Sequence, residues 1–177
     1  MAKVKGKFIT FAGRLMTLYK EEKKKADQAL YTKTGKHFDE LEPEGWYDTS
    51  IIDFVLNAYA DASPTGKRAI VTMGRNVYPI INRTVGIPPD KIKTPLDAII
   101  FETENYLADH KSDEVSQVIP RKIISAEDGH VVVEAPAPGY DSLLYKGVYL
   151  GILEMLGIKT GKVEMIDKNK AIFDITW

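Results

Sequence analysis

The chain has 177 residues, 44% of them apolar and 28% charged, and its 24 basic and 25 acidic side chains leave a net charge of -1. It contains no cysteine, which excludes disulfides, thiolate metal sites, Fe–S clusters and cysteine nucleophiles. The charge balance offers no electrostatic footprint for nucleic acid or an anionic membrane.

No apolar run approaches the length of about 20 residues that spans a bilayer. The opening MAKVKGKFITFAGRLM is basic but lacks the continuous apolar core of a signal peptide. The expectation is therefore a cytoplasmic chain forming a single domain, 1–177, with no membrane and no nucleic acid as partner.

The first two-thirds read as helical. Phe8, Phe11, Leu15, Leu18 and Tyr19 recur at helical spacing and predict one helix from Phe8 to about Tyr31. Its KEEKKK run mixes both signs and reads as a solvated face. The turn ELEPEGWYDTS then delivers Asp48, Thr49 or Ser50 as cap for a helix with Ile51, Ile52, Val55 and Tyr59 on its apolar face.

SPTG ends that helix, and another begins near Lys67. It carries Ile70, Met73, Val77 and Ile81 and closes around TVGIPPD, with Gly74 inside its stripe predicting close packing. In TPLD, Thr94 caps, Pro95 takes the first helical position and Asp97 completes a capping box. The helix so started runs through Ile99, Ile100 and Tyr106 to about His110.

From Val118 the period changes. VIPRKIIS, the Asp128-Gly129 turn and HVVVEA predict a hairpin, and KTGKVEMID followed by AIFDITW predicts a second. Between them PGYDSLLYKGVYLGILEMLG predicts a helix at 141–156 ending at Gly157. The fold class is thus α+β: a helical part at about 7–112, then hairpin–helix–hairpin at about 117–177, giving a four-stranded antiparallel sheet.

Two interior glycines in that last helix, Gly147 and Gly151, each cost about 1 kcal/mol relative to alanine. They imply a face that another backbone approaches, with Tyr145 and Tyr149 on a neighbouring stripe, either packed or lining a ligand.

Catalytic signals are weak. SPTGKR lacks the first glycine and the hydroxyl residue of a phosphate loop, and neither GxSxG nor HExxH occurs. Glu40/Glu42 and Glu102/Glu104 sit on polar faces at a spacing that cannot face each other on a helix. Enzyme chemistry is not expected. His37 and His130 read as exposed, whereas His110 continues an apolar stripe and could ligate a metal or bond a backbone carbonyl.

The order of parts resembles the H-NOX-like superfamily. This comprises haem–nitric-oxide/oxygen-binding domains and haem-free relatives: 4-vinyl reductase type domains, transport-particle subunits and small uncharacterised bacterial proteins. The resemblance rests on GWYDTSIIDFVLNAY, MGRNVYPII, PLDAIIFETENYLADH followed by Pro120, LLYKGVYLGILEMLGI and AIFDITW.

It implies a small-ligand sensor or carrier, its partner a small hydrophobic or tetrapyrrole ligand such as haem b. His110 stands at the iron-ligand position, and Tyr140 and Ser142 match two residues of the Tyr-x-Ser-x-Arg signature that grips the haem propionates. Leu144 stands where that signature has arginine. The cavity is expected between the helix ending at His110, the helix at 141–156 and the sheet, lined by Phe101, Tyr106, Tyr145, Gly147, Tyr149 and Gly151. The alternative is a haem-free interaction module of the same fold. It would dimerise or dock on a separately encoded signalling protein through Trp46, Tyr47 and Trp177.

Overall fold

A computed structural model describes residues 2–16, 19–87, 91–112 and 118–177. Leu18, Asp113, Glu114 and the 88–90 end of the proline turn lie outside the described residues.

The protein is α+β, with an α-helical part followed by hairpin–helix–hairpin. The elements in order are β1 (Ala2–Lys5), α1 (Gly6–Leu15), α2 (Lys20–Thr34), β2 (Trp46–Asp48), α3 (Ser50–Ala62), α4 (Arg68–Thr84) and α5 (Pro95–Asp109). There follow β3 (His110–Ser112), β4 (Lys122–Glu127), β5 (His130–Glu134), α6 (Ser142–Met155), β6 (Lys162–Asp167) and β7 (Ile172–Thr176). Among the described residues no helix is long and apolar enough to cross a membrane.

The second half follows the sequence pattern closely. β4 to β7 form one antiparallel sheet in the order β4-β5-β7-β6. Gly129 turns the first hairpin at φ 78, a backbone region that glycine adopts without steric cost. Alternation puts Val131, Val133, Phe173 and Ile175 on the inner face, where α6 covers them with Val148, Tyr149 and Ile152.

The first half departs in two ways. The single helix expected from Phe8 to Tyr31 is two helices, because Tyr19 adopts an extended conformation (φ -131, ψ 100) and starts α2 afresh. A second, three-stranded sheet also appears, ordered β2-β1-β3. Strands of three or four residues are too short to establish a period, so nothing in the sequence pattern announces them.

α4 and α6 lie side by side, running in the same direction. Lys67 at the start of α4 meets the α6 cap Asp141 at 2.9 Å, and Arg75 further along binds Glu154 with Nε 2.7 Å from its carboxylate. Glycines make the crossing close. A Cβ on Gly147 would meet the Val71 carbonyl, the Arg75 nitrogen at 2.8 Å and the Gly74 α-carbon at 2.9 Å. One on Gly74 would meet the Leu144 carbonyl and the α-carbon of Gly147 at 3.0 Å.

Pro79 frees one acceptor at this crossing. Lying inside α4, it has no N–H to give the carbonyl four residues earlier, that of Arg75. Gly151 packs on that same carbonyl, where a side chain would collide. The glycine face predicted for α6 is thus real, and its partner is the helix α4.

Candidate functional site

The capping box of α5 is formed as predicted: Thr94 accepts from the Asp97 amide at 3.2 Å and Asp97 accepts from the Thr94 amide at 2.8 Å. From that start the helical period places Ile99, Glu102 and Tyr106 along one buried face. The helix stops at Asp109, and His110 takes an extended conformation (φ -123, ψ 146) as the first residue of β3, paired with Val4.

His110 is buried, 6% exposed, and both ring nitrogens are engaged. Nδ1 lies 2.7 Å from the Tyr106 carbonyl oxygen. A carbonyl can only accept, so Nδ1 carries the proton and Nε2 of the neutral ring is an acceptor. The Tyr140 hydroxyl, 2.6 Å from Nε2, is then the donor. The imidazole stacks on Tyr106 with centroids 4.1 Å apart. Burial holds its pKa down at about 4, opposed by the bond to the Tyr106 carbonyl and aided by the nearby Arg121 charge.

Beside this pair lies a buried ion pair. Arg121 is 6% exposed and Glu102 5%. The guanidinium donates to the Glu102 carboxylate at 3.2 and 3.4 Å and to the Pro136 carbonyl at 3.0 Å. Its central carbon lies 3.3 Å from the Tyr106 ring centroid and 4.5 Å from that of Tyr145. Burial raises the Glu102 pKa, against the lowering pull of Arg121. It also raises the pKa of Tyr140 and Tyr145, so both phenols stay protonated at neutral pH.

Glu102, Tyr106, His110, Tyr140 and Tyr145 stand at the polar end of a cavity of about 520 Å³, with Arg121 behind Glu102 and outside the lining. Its walls come from α1, α4, α5 and one face of α6, with Phe8, Phe11, Val77 and Leu144 among the apolar contributors. That volume lies within the range of about 300–1,000 Å³ usual for small-molecule sites. The four-stranded sheet contributes no wall, because α6 stands between it and the cavity. Lys7, Arg14 and Asp109 also line the cavity; Asp109 binds Lys7 at 2.7 Å and Lys5 at 3.2 Å.

The structure brings together five of the sequence-predicted residues: His110, Tyr140, Phe101, Tyr106 and Tyr145 all line this cavity. The other four do not. Gly147 and Gly151 face α4, as their packing requires. Tyr149 is fully buried on the sheet side, edge-on to Phe173 at 5.3 Å, and its hydroxyl has no hydrogen-bond partner among the described residues. Ser142 opens α6 next to its cap Asp141 and is not part of the lining.

Two site residues escape the sequence reading. Glu102 is not on a polar face, as its pairing with Glu104 suggests; it lies three residues after Ile99 and four before Tyr106, on their stripe. That spacing was the available signal. Arg121, alone between Pro120 and a strand, carries none.

Haem can be judged against the donors present. Iron would need His110 Nε2, which here accepts from Tyr140. A propionate at the buried end would need a guanidinium free to pair with it, whereas Arg121 is already paired with the Glu102 carboxylate and bonded to the Pro136 carbonyl. Leu144, at the signature's arginine position, offers only an apolar side chain to the cavity. As arranged, the residues do not fit haem. Among the described residues no three histidine or carboxylate side chains converge to hold a metal.

No protein-family model, curated protein or solved structure matches the chain.

Proposed function

We propose that this chain is a small-ligand sensor or carrier domain that holds an apolar molecule between α1, α4, α5 and α6. The observation that carries the reading is the cavity of about 520 Å³, apolar along its walls and polar at the His110–Tyr140 end. Such a site combines area for hydrophobic burial with a few fixed polar groups for orientation. Similarity to H-NOX-like domains in the order of elements supports the same reading.

The test is uptake of an environment-sensitive apolar dye by the purified chain, compared with a Leu144→Trp variant in which an indole fills the cavity. Saturable one-to-one uptake by the parent, abolished in the variant, is expected. Uptake that is absent, or unchanged by the indole, refutes the proposal. An absorption spectrum of the freshly purified protein checks the haem form. A Soret band lost on His110→Ala would mean that Tyr140 releases Nε2 and that the ligand is haem b.

The interaction-module reading has no comparable support. Trp46 carries the Lys111 ammonium over its ring at 4.1 Å, the Tyr47 hydroxyl accepts from the Glu42 amide at 3.1 Å, and Trp177 packs on the sheet core.

A further inference from the structure

We infer that the cavity takes its ligand uncharged, as a ring-sized apolar molecule carrying a hydrogen-bond donor for the Tyr140 oxygen. The inference rests on the proposed ligand-binding role and concerns what kind of molecule enters.

The charges at the buried wall are already cancelled. Glu102 is the carboxylate of the inner lining, and Arg121 stands behind it, outside the lining, with two of its donors on Glu102 and a third on the Pro136 carbonyl. An anion placed inside would meet Glu102 first, and the guanidinium behind it already has its charge matched by that carboxylate. A cation would meet a carboxylate whose charge is neutralised. Either would lose its hydration without a partner, the costliest form of burial.

The remaining polar groups of the inner wall are neutral. Burial keeps His110 unprotonated at neutral pH and Tyr78, Tyr140 and Tyr145 in their phenol forms. Asn105, a further polar side chain of α5 in the lining, is uncharged as well. The charges nearer solvent stay there: Lys7 pairs with Asp109, and Arg14 is exposed at the end of α1.

Hydrogen-bond direction completes the description. Tyr140 gives its one proton to His110, so its oxygen can only accept. A ligand meeting it must bring an N–H or O–H.

The experiment compares three probes of one shape on the full chain at neutral pH: naphthalene carboxamide, naphthoate and naphthylmethylammonium, by calorimetric titration. The carboxamide is expected to bind at least about tenfold more tightly than either ion. Tyr140→Phe should weaken the carboxamide about tenfold and leave unsubstituted naphthalene unchanged. Glu102→Gln, which leaves the Arg121 charge uncancelled, should shift the preference toward naphthoate by about tenfold or more.

Equal or tighter binding of either ion by the parent chain overturns the inference while leaving the ligand-binding role intact. Failure of all three probes and of naphthalene overturns that role and this inference together.

Discussion

Replacing Gly147 by alanine sets two known effects against each other at one atom. Alanine is the better helix former by about 1 kcal/mol, so on propensity alone the variant gains stability. The new methyl group, however, would lie 2.8 Å from the Arg75 nitrogen and 2.9 Å from the Gly74 α-carbon, and closer still to the Val71 carbonyl. All three are backbone atoms of α4, which cannot step aside as a side-chain tip can. Overpacking of a core costs about 1–3 kcal/mol, and a rigid wall places this site at or above the upper end. The expected net loss is about 2 kcal/mol, equivalent to a fall in melting temperature of about 4–8 °C for a chain of this size.

The assay is thermal unfolding followed by circular dichroism, with Gly13→Ala as comparison. There the nearest atoms to the new Cβ belong to the Phe38 ring, at 2.7 Å, a side chain that can swing about its own Cα–Cβ bond as helix backbone cannot. Gly147→Ala should therefore lose clearly more than Gly13→Ala. A neutral or stabilising Gly147→Ala would refute the claim that α4 and α6 are held at glycine distance.

Three further outcomes follow from the buried polar groups. Arg121→Met leaves the Glu102 carboxylate without its partner and should cost about 3–5 kcal/mol, while adding Glu102→Leu should recover most of it; chemical denaturation of both variants decides. His110 is held near pKa 4, below the unfolded value, so the unfolded chain binds the extra proton first. Its contribution is thus present above about pH 6.5 and is lost as pH falls through about 4, by about 3 kcal/mol in all. Imidazole signals in an NMR titration should show His110 still neutral when an ordinary histidine has charged, and a midpoint near the ordinary value would sink the argument. Tyr140→Phe removes the donor to Nε2 and should cost about 1 kcal/mol, read as a shift in denaturation midpoint with unchanged slope.

The sheet half of the fold was legible because its signals are local. An Asp-Gly turn, period-two alternation and a glycine after the helix each act within a few residues. α5 was legible for the same reason, since Thr94, Pro95 and Asp97 specify its start without reference to anything distant. What could not be read depends on contacts far apart in sequence. β1 becomes a strand only because residues at 46–48 and 110–112 come to flank it. Arg121 becomes part of the site only because β4 brings it under Tyr106. The candidate site was half visible: His110 stood out by its stripe, and Tyr140 and Ser142 by a resemblance of which the structure joins only Tyr140 to His110.

The position of β1 as the middle strand of its sheet has a consequence for how the molecule is assembled. Both neighbours come later in the chain, and the farther one begins at His110. The entropic cost of closing such a loop grows only logarithmically with length, so the long separation burdens the rate of folding far more than its equilibrium. While the chain is being synthesised, β1 can pair with β2 once residues 46–48 have emerged, but its other edge waits until residue 110 and its followers do. The extended backbone that aims the His110 ring at Tyr140 forms in that last closure. A nascent chain halted before this point would already contain α1 and α4 with their apolar faces, and would have nothing to orient a guest.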